Sequence, residues 1–501
     1  MPLLLAFTGR FTPHRRVAVP RTAGDLNPSG VEGPVPGGVD ALRALKLSLI
    51  AGTVFFIGTV YWTGTVIIEF GDVPRVVAAV GVVLMSMYLA TYHVIGLLVT
   101  SRVIARLGAR GLFFAPIGWV GGEFLRGVLL GGFPWLPLGN SQVDVLPVAQ
   151  LASLLGVYGL SALVAYINAT AAFALLRSGR SRLVAIATAA VVLFGIAGWG
   201  TLRIRDGSLM RQGTPIRVGI IQPNIEQSAK LAADSDARQA RRIFTTNIAM
   251  TRDVVKRGAQ FVIWPESSIP FKFERDPRGE DIRSLAREVQ VPILFGSDQQ
   301  TGMFEKTAIY NAAYEVRPDG RTAAVYRKIH LVPFGEFVPL RKWLFFLRPL
   351  VDSFLDFSAG DAMVMLPIGS HQASTAICYE VVYPSLVREA VNMGSELLTT
   401  ITNDGWYGHS SAPYQHFEMA KMRSIEEGRY LVRAANTGIS GVVDPYGREV
   451  RRSAIFEEVG LVEEVRFLTG RTIYARIGDV VGYVSLALVL LTPLVLWRGR
   501  V

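Results

Sequence analysis

Long apolar stretches constrain this chain more than any other feature of its sequence. Runs that are free or nearly free of charge lie at residues 46–68, 76–99, 111–131, 147–176, 183–202 and 480–497. A helix of about 20 residues crosses the roughly 30 Å hydrocarbon core of a bilayer, so each run is long enough to span a membrane. With 50% hydrophobic and only 18% charged residues, the composition excludes an ordinary soluble protein. We predict five spans, a larger region, and one final span.

Basic residues mark one side of these predicted spans. They precede the first span and follow the second, fourth and last, and include Arg43, Lys46, Arg102, Arg106, Arg110, Arg177, Arg180, Arg182, Arg498 and Arg500. The alternate connections are nearly free of Lys and Arg. By the positive-inside rule both termini are predicted to be cytoplasmic, and residues 203–478 to lie outside.

The region after the fifth span has a different pattern. Short β-rich runs such as "IRVGIIQPN", "FVIWPES" and "ASTAICYE" alternate with turn signals, and residues 236–257 are typical of an amphipathic helix. About 250 residues are enough for one buried α/β core. The predicted organisation is a disordered cytoplasmic tail, a transmembrane bundle, an extracytoplasmic domain and a C-terminal transmembrane helix, at residues 1–43, 44–203, 214–470 and 478–497 respectively.

Cys378, in "STAICYEVVYP", is the single cysteine of the chain. A lone cysteine is ordinarily a small buried hydrophobe. In a domain outside the cytoplasm, however, a structural cysteine is expected to have a disulfide partner, and none exists. A reactive thiol needs a nearby base or cation. Glu266 follows the run "FVIW" and Lys328 ends "AAVYRK", so both are expected at strand ends, where they could meet the thiol.

In this chain order, Glu266, Lys328 and Cys378 resemble the catalytic triad of the nitrilase, or carbon–nitrogen hydrolase, superfamily. The stretches "WPESSIP", "KIHLVPFGEFVP", "AICYE", "NDGWYG" and "QHFEMAKMRSIE" are similar to motifs of its membrane branch, the apolipoprotein N-acyltransferases. So is "EFLRGVLLGGFPWLPLGNSQ", a segment that soluble nitrilases and amidases lack. The resemblance implies a multi-pass helical bundle beside a nitrilase-like α-β-β-α sandwich, with the catalytic domain on the periplasmic side of a bacterial inner membrane.

The resemblance also implies a two-step reaction without a cofactor. Glu266 would take the thiol proton while Cys378 attacks an acyl ester of a phosphatidylethanolamine-like phospholipid, leaving a thioester. The α-amino group of an apolipoprotein's N-terminal diacylglyceryl-cysteine would then accept the acyl chain. Lys328 and a backbone N–H beside Cys378 would stabilise the oxyanion. We expect a monomer that contacts membrane lipids.

Further acidic and aromatic residues resemble supporting groups of the family. Glu336, Tyr379 and Glu380 are expected beside the triad, although Glu380 equally fits a carboxylate that caps a turn. Glu123 and Arg126 lie three apart inside a predicted span, where charges are expensive. They are predicted either to pair and hold the bundle together or to bind lipid head groups.

One further stretch, at residues 339–357, combines apolar and basic residues and is predicted to dip into the membrane surface. A core helix of the sandwich is the alternative. On the first interpretation it forms the lipid entrance to the thiol, and the expected lipid-binding or substrate-binding residues of the domain are Trp343, Phe345, Phe346 and Trp406.

Other classes of function are less consistent with the sequence. Six scattered histidines and one cysteine have no ligand spacing, so no metal is predicted. The net charge of +11 arises largely in predicted cytoplasmic segments, which favours anionic lipid over nucleic acid as a partner. A membrane-tethered amidase or nitrilase would use the same triad with water as acceptor. A non-catalytic receptor would not require the three residues to converge.

Overall fold

The computed structural model describes residues 40–71, 73–233, 236–302, 307–333, 335–337 and 357–498. Residues 1–39 of the predicted tail lie outside this range, and the first described helix begins at Ala41, inside the predicted tail. Its N-terminus is capped by Asp40, whose side chain accepts a hydrogen bond from the Arg43 N–H at 2.7 Å. Trp343, Phe345 and Phe346 also lie outside the described residues.

The described part of the N-terminal half is helical, and four of its segments are long and apolar enough to cross a membrane, at Ala41–Val60, Arg75–Gly131, Ala152–Leu176 and Gly179–Arg211. The helices before the second domain are α1 (Ala41–Val60), α2 (Trp62–Gly71), α3 (Arg75–Leu107), α4 (Ala115–Val128), α5 (Leu146–Ala149), α6 (Ala152–Leu176) and α7 (Gly179–Asp206). A shorter apolar helix follows the second domain.

The predicted second and third spans belong to one interrupted helical segment. Helix α3 ends where Gly108 adopts a φ of +60°, and a 3-10 stretch, Gly108–Phe114, leads into α4. After α4 the chain forms an irregular loop, residues 129–138, which we call the re-entrant loop. Its backbone is bound by side chains of α4 and of the second domain, as described below. Irregular backbone among membrane helices is tolerated when protein groups satisfy its hydrogen bonds, as they do here.

The second domain contains two six-stranded sheets. The first has the strand order β12-β1-β2-β3-β4-β5 and the second β11-β10-β9-β8-β7-β6. Strands β1, β2 and β3 are parallel neighbours, as are β7, β8 and β9. The strands are β1 (Thr214–Gln222), β2 (Phe261–Ile263), β3 (Ile293–Thr301), β4 (Ala308–Val316), β5 (Thr322–Arg327), β6 (Leu366–Ile368), β7 (His371–Ile377), β8 (Leu397–Thr402), β9 (Leu431–Ala435), β10 (Gly441–Val443), β11 (Glu449–Arg452) and β12 (Val459–Phe467).

Helices complete this domain and continue to the C-terminus. They are α8 (Gln227–Ala232), α9 (Ala237–Lys256), α10 (Gly279–Val289), α11 (Pro384–Asn392), α12 (Ala412–Glu427), α13 (Ile473–Ile477) and α14 (Val480–Arg498). Successive side chains of a strand point to opposite faces of its sheet, so the core is divided into two apolar clusters. Ile220 of β1 packs toward the second sheet, whereas Ile221 packs with α9 and α10. The predicted nitrilase-like α-β-β-α sandwich is confirmed, beside a bundle of apolar helices.

Buried aromatic and amide contacts join the bundle to the domain close to Cys378. The side-chain oxygen of Gln415 on α12 accepts hydrogen bonds from the indole N–H of Trp62 at 3.1 Å and of Trp135 at 2.8 Å. Its amide donates to the carbonyl of Thr59 at 3.1 Å. A single side chain therefore ties the end of α1, the start of α2 and the re-entrant loop to the sandwich.

Candidate active site

Three of the predicted site residues follow strand ends on the same side of the sandwich. Glu266 comes after β2, Lys328 directly after β5, and Cys378 directly after β7. All three are nearly buried, with exposures of 6%, 1% and 6%. Cys378 begins a 3-10 segment, Cys378–Val382, with a φ of +54°. This left-handed backbone turns the chain sharply and places the thiol at the strand end.

The ammonium group of Lys328 lies between two carboxylates. Its Nζ is 2.8 Å from Glu336 Oε1 and 3.5 Å from Glu266 Oε1. The side-chain amide of Asn311, on β4, donates to both of these oxygens, at 2.7 Å to Glu266 and 3.0 Å to Glu336. The other oxygen of Glu266 accepts the backbone N–H of Asn403 at 2.9 Å. A cation and two neutral donors therefore hold Glu266 in place.

Burial acts in opposite directions on the pKa values of the thiol and the ammonium group. Burial raises the pKa of Cys378, the charge of Glu266 raises it further, and the charge of Lys328 only partly opposes this. The resting thiol is therefore protonated and needs a base. Burial alone lowers the pKa of Lys328, but Glu336 and Glu266 outweigh this effect and raise it, so Lys328 remains a cation.

Glu380 holds two loops of the site together. Its Oε1 accepts hydrogen bonds from the Tyr326 hydroxyl at 2.8 Å and the Ile329 N–H at 2.6 Å, and Oε2 accepts the Ile377 N–H at 2.8 Å. Burial raises the pKa of this carboxyl to about 7. Glu380 therefore caps the turn that begins at Cys378 and also contacts the residue after Lys328; a role of Glu380 in the reaction stays a prediction.

Tyr379, Glu123 and Arg126 meet around the re-entrant loop. The ring of Tyr379 stacks on Trp135 of this loop, with centroids 6.3 Å apart. Arg126 Nη1 donates to the carbonyl oxygens of Phe133 and Trp135, at 2.6 and 2.8 Å. Glu123 Oε1 accepts the Leu138 N–H at 2.6 Å. Each intramembrane charge is thus bound to loop backbone, and both are nearly fully buried. A direct role in lipid binding stays a prediction.

Trp406 lies in a 3-10 segment, Asp404–Tyr407, just after β8. Its ring contacts Phe70 of α2 edge-on, with centroids 4.8 Å apart. The residue is half-buried at the boundary between bundle and domain. This position is compatible with contact to an entering lipid chain, which stays a prediction.

Comparisons with known proteins distinguish among enzymes that share such a sandwich. Residues 217–469 match the carbon–nitrogen hydrolase family model, and residues 38–170 match the model of the apolipoprotein N-acyltransferase N-terminal domain. Apolipoprotein N-acyltransferase from Geobacter metallireducens is 35% identical over 464 residues, which cover 90% of this chain and 86% of that protein. The chain belongs to the apolipoprotein N-acyltransferase family.

A second relative agrees with this membership. Apolipoprotein N-acyltransferase from Bradyrhizobium diazoefficiens is 35% identical, over 81% of this chain and 76% of that protein. Among solved structures, an amidase from Nesterenkonia sp. AN1 aligns over 53% of this chain and 94% of its own length, at 18% identity and a TM-score of 0.40. As a member of an N-acyltransferase family with a carbon–nitrogen hydrolase domain, the chain is an acyltransferase rather than an amidase.

Sequence reasoning missed part of this N-acyltransferase's site. Asn311 could have been noticed as an amide within an apolar strand. A network of Asp404, His416 and Arg433 lies directly behind Cys378. Its members lie after β8, on α12 and on β9, and only folding brings them together.

This network could be mistaken for a metal site, because ligand atoms of Cys378, Asp404 and His416 all lie within 4.8 Å of one another. However, the guanidinium of Arg433 already lies 2.9 Å from Asp404 Oδ2 and 3.0 Å from His416 Nδ1. A cation would have to displace this positive group. The three residues therefore do not fit a metal centre.

Proposed function

We propose that this chain transfers an acyl chain from a phospholipid, through a thioester on Cys378, to the α-amino group of an apolipoprotein's N-terminal diacylglyceryl-cysteine. Membership of the apolipoprotein N-acyltransferase family supports the reaction and the class of substrates. The observation that carries the residue assignment is the cluster in which Lys328 contacts both Glu266 and Glu336, and in which the charges of Glu266 and Lys328 act on a single protonated thiol.

In the first step the Glu266 carboxylate takes the thiol proton as Cys378 Sγ attacks the carbonyl carbon of the phospholipid ester. The tetrahedral intermediate collapses when the C–O bond to glycerol breaks. The proton returns from Glu266 to the leaving oxygen, and a lysophospholipid departs. This assignment is supported by the protonated resting thiol, which is a poor nucleophile without a base.

In the second step the neutral amine of the diacylglyceryl-cysteine attacks the thioester carbonyl. Glu266 takes a proton from the attacking nitrogen, the C–S bond breaks, and the proton passes to the Cys378 sulfur. The products are an amide and the free enzyme. The same carboxylate thus acts as base and then as acid in each half-reaction.

Each tetrahedral intermediate carries an oxyanion, and we assign its stabilisation to Lys328 and to the backbone N–H of Tyr379. Lys328 is suited to this role because it stays charged in a buried site. One such donor contributes about 3–4 kcal/mol of transition-state stabilisation. Glu336 and Asn311 are assigned to orienting Lys328 and Glu266, which they contact directly.

The lipid donor is proposed to reach the thiol from the membrane side. The elements near Cys378 on this side are the re-entrant loop and α2, both in the apolar half of the chain. Phosphatidylethanolamine is the proposed donor, with Trp343, Phe345, Phe346 and Trp406 as candidate contacts. The proposed location is a bacterial inner membrane, with the sandwich facing the periplasm and the enzyme acting as a monomer.

Product analysis tests the proposed function. Purified enzyme in detergent is incubated with phosphatidylethanolamine and a synthetic diacylglyceryl-cysteine peptide, and the N-acylated peptide, lysophospholipid and free fatty acid are quantified. We expect equal amounts of lysophospholipid and N-acylated peptide, and neither product from Cys378→Ala. Free fatty acid in place of acylated peptide would instead identify a hydrolase. Turnover that survives in Cys378→Ala would refute the assignment of the nucleophile.

A further inference from the structure

Cys378 has a backbone conformation that its neighbours must hold in place. A φ of +54° is disfavoured for a residue with a Cβ atom. The preceding residue is fixed by the hydrogen bond from the Ile377 N–H to Glu380. The carbonyl oxygen of Cys378 itself lies 3.1 Å from His416 Nε2. Because a carbonyl oxygen can only accept, Nε2 must carry the hydrogen.

The imidazole of His416 is itself held in one orientation. Its Nδ1 lies 3.0 Å from Arg433 Nη2 and 3.0 Å from Asp404 Oδ1. Asp404 in turn accepts from Arg433 at 2.9 Å and from the Thr402 hydroxyl at 2.9 Å. The ring packs against Trp135, with centroids 5.5 Å apart. Burial and the charge of Arg433 lower the pKa of His416, so the ring is neutral and Nδ1 accepts from Arg433.

The hydrogen bond to the Cys378 carbonyl also determines where the next N–H group points. The peptide between Cys378 and Tyr379 is a planar trans unit, so its N–H and C=O point in opposite directions. Tyr379 is the second residue of the 3-10 segment Cys378–Val382, and an N–H at this position has no acceptor within its own helix. This N–H is the backbone donor assigned above to the oxyanion.

We propose that His416 is a positioning residue for acyl transfer, which fixes the Cys378 carbonyl and thereby aims the Tyr379 N–H at the oxyanion of each intermediate. Arg433, itself held by Asp404, donates to Nδ1 and holds the imidazole in the orientation that this requires. His416 touches neither the substrate nor the reacting sulfur in this role. The inference rests on the proposed function, because it requires that Cys378 form an acyl-enzyme.

Two reactions of the Cys378 thiol distinguish a positioning role of His416 from a role in packing alone. Acylation by phosphatidylethanolamine forms an oxyanion, whereas alkylation by iodoacetamide forms none, and Cys378 is the single cysteine. His416→Asn has an amide too short to reach the Cys378 carbonyl, while His416→Gln places an amide N–H close to the position of Nε2. We expect His416→Asn to lower single-turnover acylation about 10²-fold and alkylation less than about threefold, with His416→Gln restoring acylation at least about tenfold.

The control is His371→Gln at the opposite end of β7, where His371 pairs with Glu396. Both rates should stay at the wild-type level. If His416→Asn does not fold, His416→Phe keeps a ring against Trp135 without a donor, and the same selective loss is expected. An equal fall in both rates, or unchanged acylation, would overturn the proposal. Absence of any acyl-enzyme in the wild type would refute the proposed function, and this inference with it.

Discussion

The ammonium group of Lys328 neutralises two carboxylates that would otherwise repel each other in a buried site. Its contacts with Glu266 and Glu336 place a compensating positive charge beside the proposed base, next to a thiol that burial keeps protonated. Without this cation, the proposed oxyanion donor would be lost together with a contact that holds Glu266 in place.

Lys328→Gln should therefore lower the rate of single-turnover acylation by about 10²–10³-fold, which is the usual effect of removing one oxyanion donor. Intact mass spectrometry of the acyl-enzyme measures this rate. The control is Lys272→Gln, because Lys272 also bonds a side chain of the first sheet, Gln300 at 2.6 Å, but is not part of the proposed machinery. A rate within about tenfold of the wild type would contradict the role of Lys328.

Glu315 on β4 is a second buried carboxyl, outside the proposed machinery. It is fully buried, and neither of its oxygens has a hydrogen-bond partner in the described part of the structure. Burial raises the pKa of this carboxyl from 4.5 to about 8. The folded protein therefore favours the neutral form, while the unfolded chain ionises near pH 4.5. Stability contributed by the neutral form is lost as the pH rises from about 4.5 to 8.

Glu315→Gln should raise the unfolding temperature more at pH 9 than at pH 5, because it removes only the penalty for ionisation. Thermal unfolding in detergent at the two pH values checks this, with exposed Glu458→Gln as the control. A gain that is the same at both pH values would mean that Glu315 is not neutral in the folded protein.

Among the elements, the re-entrant loop connects membrane helices to the proposed nucleophile. Arg126 binds its backbone from α4, and the Tyr383 hydroxyl binds it from the sandwich, donating to the carbonyl oxygens of Gly131 at 3.1 Å and Gly132 at 3.0 Å. Trp135 of the loop stacks on Tyr379, the residue after Cys378. A displacement of the loop is therefore expected to displace Tyr379 and the proposed acylation site beside it.

Tyr383→Phe removes this hydrogen bond, which the two carbonyl oxygens share, but keeps the ring. We expect the loop to be held less firmly, by about 0.5–1.5 kcal/mol, and the acylation rate to fall by severalfold to tenfold. Tyr483→Phe is the matched control, because Tyr483 is exposed on α14 and its ring contacts the ring of Phe124 edge-on. Equal rates for the two variants would show that this tether does not support the site.

At this scale the sequence predicted regular elements well and their side-chain partners poorly. The helix predicted over 236–257 is observed at Ala237–Lys256, because its apolar period and the capping residue Asp236 are local signals. The Asp404, His416 and Arg433 network depends on strand order, which no local pattern encodes. The contacts of Glu123 and Arg126 with loop backbone likewise depend on how the chain returns after α4.

Across the whole molecule, the distribution of basic residues predicts that the sandwich lies outside the cytoplasm. Three of these cations, Arg177, Arg180 and Arg182, lie between the end of α6 and the first turn of α7, whereas the sandwich follows α7 on the other predicted side. Because Cys378 is the single cysteine, a Cys378→Ala background allows new cysteines to report topology.

In this background, Ser181→Cys at the start of α7 and Ser284→Cys on α10 place a thiol at exposed positions on opposite predicted sides. A membrane-impermeant maleimide added to spheroplasts should label Ser284→Cys alone, and detergent should expose both. Labelling of Ser181→Cys alone in spheroplasts would reverse the proposed orientation.

The central claim is that Cys378 carries the acyl chain and passes it to an amine. Intact mass spectrometry tests it most directly, on wild type and Cys378→Ala after incubation with phosphatidylethanolamine, before and after addition of the diacylglyceryl-cysteine peptide. We expect a mass gain of one acyl chain on the wild type alone, which is discharged by the peptide and appears on its amine. A gain on both proteins, on neither, or one discharged equally fast by water would contradict it.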